Sequence, residues 1–250
     1  MPFFKFKNLN IHYIDEGEGT PLILLPGSTA SSAVHKSELE YFGQTFRVIC
    51  PDYIGYGKSD RIKELPIEFW WENARMVVHL LQQLNIQNAY CVGTSGGAII
   101  GLNMAIITPG VVKGVIADSF MGEFFVYDEI IEMVQSRQKI STEQAAFWSY
   151  AHGNDWQYVI QKDSEMLIAS TRSGKSVFKG RLNEIQCPVL ILGSIKDDLI
   201  PDIVRKLSDV ALQIPSSKVI LYPNGNHPVM WSRMKDFRVD VDTFLNSLQR

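Results

Sequence analysis

The chain has 250 residues, 46% of them hydrophobic, and a net charge of −3. That is enough apolar material for one sizeable core with room for a small insert. No block of Lys or Arg stands out, so neither nucleic acid nor an anionic membrane is expected as a partner, and the substrate is expected to be small and not strongly charged. Cys50, Cys91 and Cys187 each lie at or beside an apolar run, where buried, reduced thiols are expected. With no Cys-x-x-Cys or His-x-x-x-His spacing, neither a metal nor another cofactor is expected. The opening residues, Met1-Pro2-Phe3-Phe4-Lys5-Phe6-Lys7, lack the apolar core and cleavage site of a signal peptide, so a cytoplasmic location is expected.

In chain order, Lys5 to Asp15 alternates as an opening hairpin does, with Phe4, Phe6, Ile11 and Tyr13 on one side. Pro21-Leu22-Ile23-Leu24-Leu25-Pro26 is a continuous apolar run, the mark of a strand buried on both faces, and Phe46 to Cys50 is another. Ala33 to Phe42 reads as a helix between them. Pro66 opens a longer helical pattern that places Trp70, Ala74, Val77, Val78 and Leu81 on one face. Strands follow at Ala89–Val92 and Val111–Ala117, on either side of a helix after Ser95. The last third supplies a strand at Pro188–Leu192, a helix from Ile203, a strand at Lys218–Tyr222 and a final helix from Ser232 to Leu248.

No Asp, Glu, Lys or Arg occurs from Met76 to Val112, a length that could cross a bilayer. His79, Gln82, Gln83, Asn85, Gln87 and Asn88 interrupt it, so it reads as helix, strand and helix deep in a core, not as a membrane span. Strands alternating with helices imply a mostly parallel, twisted α/β sheet of about eight strands, with helices on both faces and an antiparallel opening hairpin. Residues 120–186 show no strand, only helical patterns rich in aromatics such as Phe124, Phe147, Trp148 and Trp156. They read as a small helical cap inserted into a core formed by residues 1–119 and 187–250.

Ligands of an open parallel sheet sit beyond the carboxyl ends of its strands, so the residues just after each strand carry the chemistry. After the first buried strand comes Gly27-Ser28-Thr29. After the second comes Pro51-Asp52-Tyr53-Ile54-Gly55-Tyr56-Gly57-Lys58-Ser59-Asp60. Gly93-Thr94-Ser95-Gly96-Gly97 joins the strand ending at Val92 to its helix, and small neighbours let strand and helix approach while the hydroxyl stands clear. The loop after Leu192 holds Asp197 and Asp198, and the one after Tyr222 holds Gly225-Asn226-His227-Pro228. A serine, an acid and a histidine thus follow one another along a single sheet edge. Asp118, after the Val111–Ala117 strand, is a further candidate acid. Asp52 and Asp60 are expected to shape their own loop through side-chain-to-backbone hydrogen bonds, and His12, His35, His79 and His152 are read as structural or surface residues, with His152 the one placed in the cap.

These blocks resemble the α/β-hydrolase fold over essentially the whole chain, and within it the biphenyl-hydrolase-like and valacyclovir-hydrolase group, which shares the loop at Leu25-Pro26-Gly27. The resemblance implies a triad of Ser95, Asp197 and His227, with Asp198 the rival acid. Asp197 stands four residues before Pro201 as in the family pattern, but one residue further from Gly193 than is usual. The oxyanion hole implied is the N–H of Ser28 with that of Gly96; proline at 26, where many relatives have histidine, removes no needed donor. The valacyclovir-cleaving relatives have an aspartate at the position of Gly96, so a neutral ester is expected in place of an α-amino ester.

The reaction implied is acyl transfer. His227 takes the proton of Ser95, the oxyanion is held by two N–H groups, and water resolves the acyl-enzyme. The expected substrate is a small, mainly apolar carboxylic ester, with Phe120, Met121, Phe124 and Trp148 as its expected contacts. Lactonase, thioesterase, C–C bond hydrolase and perhydrolase chemistry stay open, as does a slow-turnover ligand-binding receptor. A serine in place of an aspartate at the elbow argues against an epoxide hydrolase or a haloalkane dehalogenase.

Overall fold

The computed structural model describes residues 2–249. The chain opens with the antiparallel pair β1 (Phe3–Phe6) and β2 (Leu9–Glu16), and continues with β3 (Pro21–Leu25), a 3-10 turn at Ser32–His35, α1 (Lys36–Phe42) and β4 (Arg47–Pro51). Next come α2 (Phe69–Gln83), β5 (Ala89–Thr94), α3 (Gly96–Ile107) and β6 (Val112–Asp118). Three helices then follow, α4 (Tyr127–Ser136), α5 (Thr142–His152) and α6 (Trp156–Arg172), before the sheet resumes. It ends with β7 (Val189–Ser194), α7 (Ile203–Ala211), β8 (Ser217–Tyr222), α8 (Val229–Ser232) and α9 (Met234–Leu248).

The eight strands form one sheet in the order β1-β2-β4-β3-β5-β6-β7-β8. β2 runs antiparallel to both β1 and β4, and every pairing from β4 to β8 is parallel. The apolar runs are buried on both faces because each face packs on helices. Ile23 and Leu25 of β3 join a cluster that includes α2, α3 and α7, while Leu22 and Leu24 join α1, α8 and α9 on the other face. Burying each such leucine or isoleucine is worth roughly 1.5–3 kcal/mol. α3 is buried from Gly96 through Ile106, which explains why that part of the uncharged stretch carries no charged face. No helix among the described residues is long and apolar enough to cross a membrane. The three cysteines are free and buried.

Candidate active site

The loop between β5 and α3 holds Ser95 at φ 53°, ψ −121°, a conformation that costs a non-glycine residue on the order of 1–3 kcal/mol. The chain on both sides holds it there. The Ser95 N–H donates to the Asp118 carbonyl at 2.7 Å, and the Ser95 carbonyl accepts from Ala98 N–H at 3.0 Å. A methyl group on Gly97 would collide with the Leu25 carbonyl and lie 2.5 Å from that of Pro26, so only glycine lets α3 start this close to β3.

His227 lies on the loop after β8. Its Nδ1 is 3.0 Å from Asp197 Oδ2, and the Asp197 side chain is fully buried. The other oxygen, Asp197 Oδ1, accepts from Leu199 N–H at 3.0 Å and Ile200 N–H at 2.8 Å. A carboxylate only accepts, so Nδ1 carries the proton and Nε2 the lone pair. Asp198 has a different partner, accepting the His227 backbone N–H at 2.7 Å. Asp118 touches neither ring nitrogen. It is fully buried and accepts from Ser119 Oγ at 2.7 Å, Met230 N–H at 2.9 Å and Thr94 Oγ1 at 3.1 Å. Burial pushes its carboxyl up to about 6, against the opposing pull of those three donors and of His227.

Ser95 and His227 face a common cavity of about 350 Å³, and Ser28 and Gly96 line it as well. As the first residue of α3, Gly96 has an N–H that the helix itself does not use. The Ser28 loop is pinned from outside the cavity. Tyr53 OH donates to the Pro26 carbonyl at 2.8 Å, and His152 Nε2 donates to the Thr29 carbonyl at 3.0 Å. His152 Nδ1 accepts Gly57 N–H at 3.0 Å, and burial holds this imidazole below its ordinary value, in the neutral form that both bonds need. Trp70 adds a donor to the same corner. A Cβ on Gly96 would lie 3.1 Å from Ser28 N and 3.0 Å from Trp70 Nε1, and would collide with Ser28 Oγ. The indole is 2% exposed, and its N–H has no partner among the described residues.

A family model described as the alpha/beta hydrolase fold matches residues 20–137. The chain has the α/β-hydrolase fold. It is 26% identical to the serine hydrolase BPHL of Mus musculus, over 96% of this chain and 84% of that one. Haloalkane dehalogenase 2 of Mycobacterium tuberculosis is 30% identical over a stretch that takes in 46% of this chain and 40% of the dehalogenase, so that likeness reaches less than half of either protein. Among solved structures, the esterase EaEST from Exiguobacterium antarcticum covers 99% of both chains with a TM-score of 0.76 at 18% identity, a likeness of fold.

Of the contacts expected in this hydrolase fold, Met121 and Trp148 line the cavity. Phe120 and Phe124 do not, and that expectation is corrected. Phe120 is fully buried, edge-on to Phe178, and Phe124 is 56% exposed. Phe125 faces the cavity, its ring 4.8 Å from that of Trp70 and edge-on to it. The segment between β6 and α4 is irregular, so neither helical nor strand periodicity tells which phenylalanine turns inward. Phe147, named only among the cap aromatics, also lines the cavity, as do Trp231 and Arg137, which carried no sequence signal. Trp70 carried one, as part of the apolar face of α2, but nothing in that pattern marked its N–H. The loop aspartates do bond backbone. Asp52 accepts from Ser32 N–H and Lys58 N–H, each at 2.8 Å, and Asp60 from Asn10 N–H at 2.7 Å. Asp52 also binds His12 Nδ1 at 2.8 Å.

Proposed function

We propose that this protein is a serine hydrolase of small, mainly apolar carboxylic esters that works through an acyl-enzyme. One observation carries the reading: a serine held in a strained turn and a histidine oriented by a buried carboxylate face the same cavity. In this reading Nε2 of His227 takes the proton from Ser95 as its oxygen attacks the ester carbonyl. Asp197 keeps the imidazole in the required tautomer and stabilises the imidazolium. The N–H groups of Ser28 and Gly96 hold the oxyanion, each such donor being worth about 3 kcal/mol, and the N-terminus of α3 adds its dipole in the same sense. Trp70 supplies a further N–H beside them. The imidazolium then protonates the leaving alcohol, and water repeats the sequence on the acyl group. Residues 120–186, with α4, α5 and α6, form the cap over the core of residues 1–119 and 187–250, and bring Met121 and Trp148 to the substrate.

Turnover of p-nitrophenyl acetate and butyrate by wild type and Ser95→Ala tests the reading. The substitution should lower kcat by about 10⁴-fold or more. Equal rates in the two proteins would remove serine from the mechanism. Stoichiometric labelling of Ser95 by a fluorophosphonate, without turnover of any ester, would instead favour a ligand-binding receptor built on this site.

A further inference from the structure

Arg137 follows α4 and is the one permanently charged side chain among the described residues that line the cavity. It is only 10% exposed. Its Nη1 donates to Asp163 Oδ2 at 2.6 Å and to Ser164 Oγ at 2.8 Å. Asp163, fully buried on α6, also accepts the hydroxyl of Tyr56. The ion pair therefore commits a single nitrogen of the guanidinium. Nε and Nη2 bond no described residue and neither is among the buried atoms left without a partner, so both keep some exposure on a side chain that lines the cavity. Ser136 and Gln144 add polar groups to a wall that otherwise includes Met133, Phe147 and Leu167.

A guanidinium with free donors in a largely apolar cavity is a receptor for a planar anion. Its fork matches a carboxylate in two parallel hydrogen bonds, and weak solvation strengthens their attraction. Asp163 fixes the guanidinium by one nitrogen and leaves that fork open. We propose that the substrate of this site carries a carboxylate remote from its scissile bond, as the half-ester of a dicarboxylic acid does, and that Arg137 anchors it. The proposal rests on the serine-hydrolase reading and narrows it from a neutral ester to an acidic one.

The test compares p-nitrophenyl hydrogen glutarate, adipate and pimelate with their methyl-capped neutral counterparts, in wild type, Arg137→Gln and Arg137→Lys. For the best chain length, wild type should favour the acidic ester by about 10-fold or more in kcat/KM, the range of one charge-assisted hydrogen bond. The preference should lie in KM. The ratio should fall to near one in Arg137→Gln and only partway in Arg137→Lys, which keeps the charge but loses the fork. A wild-type ratio at or below one for every length, or a ratio unchanged in Arg137→Gln, would overturn the anchor. A variant that merely unfolds loses both esters together and shows a lowered Tm, and Arg137→Lys then decides. Should wild type cleave no ester, the hydrolase reading fails first. Binding of free glutarate, read from cavity tryptophan fluorescence and weakened in Arg137→Gln, would still support the anchor, and no binding would sink it too.

Discussion

Two adjacent carboxylates divide the histidine loop between them, Asp197 holding the ring of His227 and Asp198 its backbone N–H. Removing charge from the first should lose the tautomer, and from the second only one bond of the loop. Asp197→Asn is therefore expected to lower kcat by about 10³- to 10⁴-fold, and Asp198→Asn by about 10-fold or less. A larger loss at 198 in steady-state assays would reverse the assignment. The same scale decides what Trp70 does. A buried donor without a partner costs about 1–3 kcal/mol, and a substrate oxygen would recover that. Trp70→Phe keeps an aromatic ring and deletes the N–H, so kcat should fall by roughly 10-fold with little change in KM. An unchanged kcat would leave the indole a wall residue. Ser95, His227 and the candidate acids were legible in the sequence because each lies at the end of a strand or on the loop that follows one. The indole N–H was not, since periodicity places a side chain on a face and says nothing of its polar edge.

At the scale of elements, the parallel strands were the most legible feature, because burial on both faces writes them as unbroken apolar runs. Helix ends were less so. The pattern after Pro66 becomes α2 only at Phe69. The helix expected over Ala33–Phe42 splits into a 3-10 turn at Ser32–His35 and α1. In the first of these, Ser31 Oγ accepts Ala33 N–H at 3.3 Å, a local cap that tightens the turn. The final helix, expected from Ser232, breaks at Arg233, whose φ of −127° and ψ of 39° separate α8 from α9. Both halves carry apolar residues at helical spacing, so a break of one residue leaves no mark on the pattern. Pockets formed by irregular segments were the least legible, as Phe124 and Phe125 show.

At the scale of the whole molecule, Asp118 ties three parts of the fold together, taking donors from β5, from the end of β6 and from α8. Its carboxyl is raised from 3.8 to about 6 by burial, so the protonated form is the one the fold favours. Its contribution to stability is full below about pH 4 and is lost as pH rises through 6, by about 3 kcal/mol in all. Asp118→Asn should lack this loss. Denaturant midpoints from pH 4 to 7 should therefore show wild type declining relative to the variant, and parallel profiles would contradict the assignment. Sequence alone determined the alternation of strands and helices, the sheet edge at which chemistry is expected and the order of Ser95, Asp197 and His227. Those follow from hydrophobic period and turn chemistry, which are local. Only the tertiary structure decided which carboxylate meets the imidazole, which aromatic rings wall the cavity and that Arg137 lines it. These depend on how α4, α5 and α6 pack around the cavity, and long-range packing of that kind leaves no period in the chain.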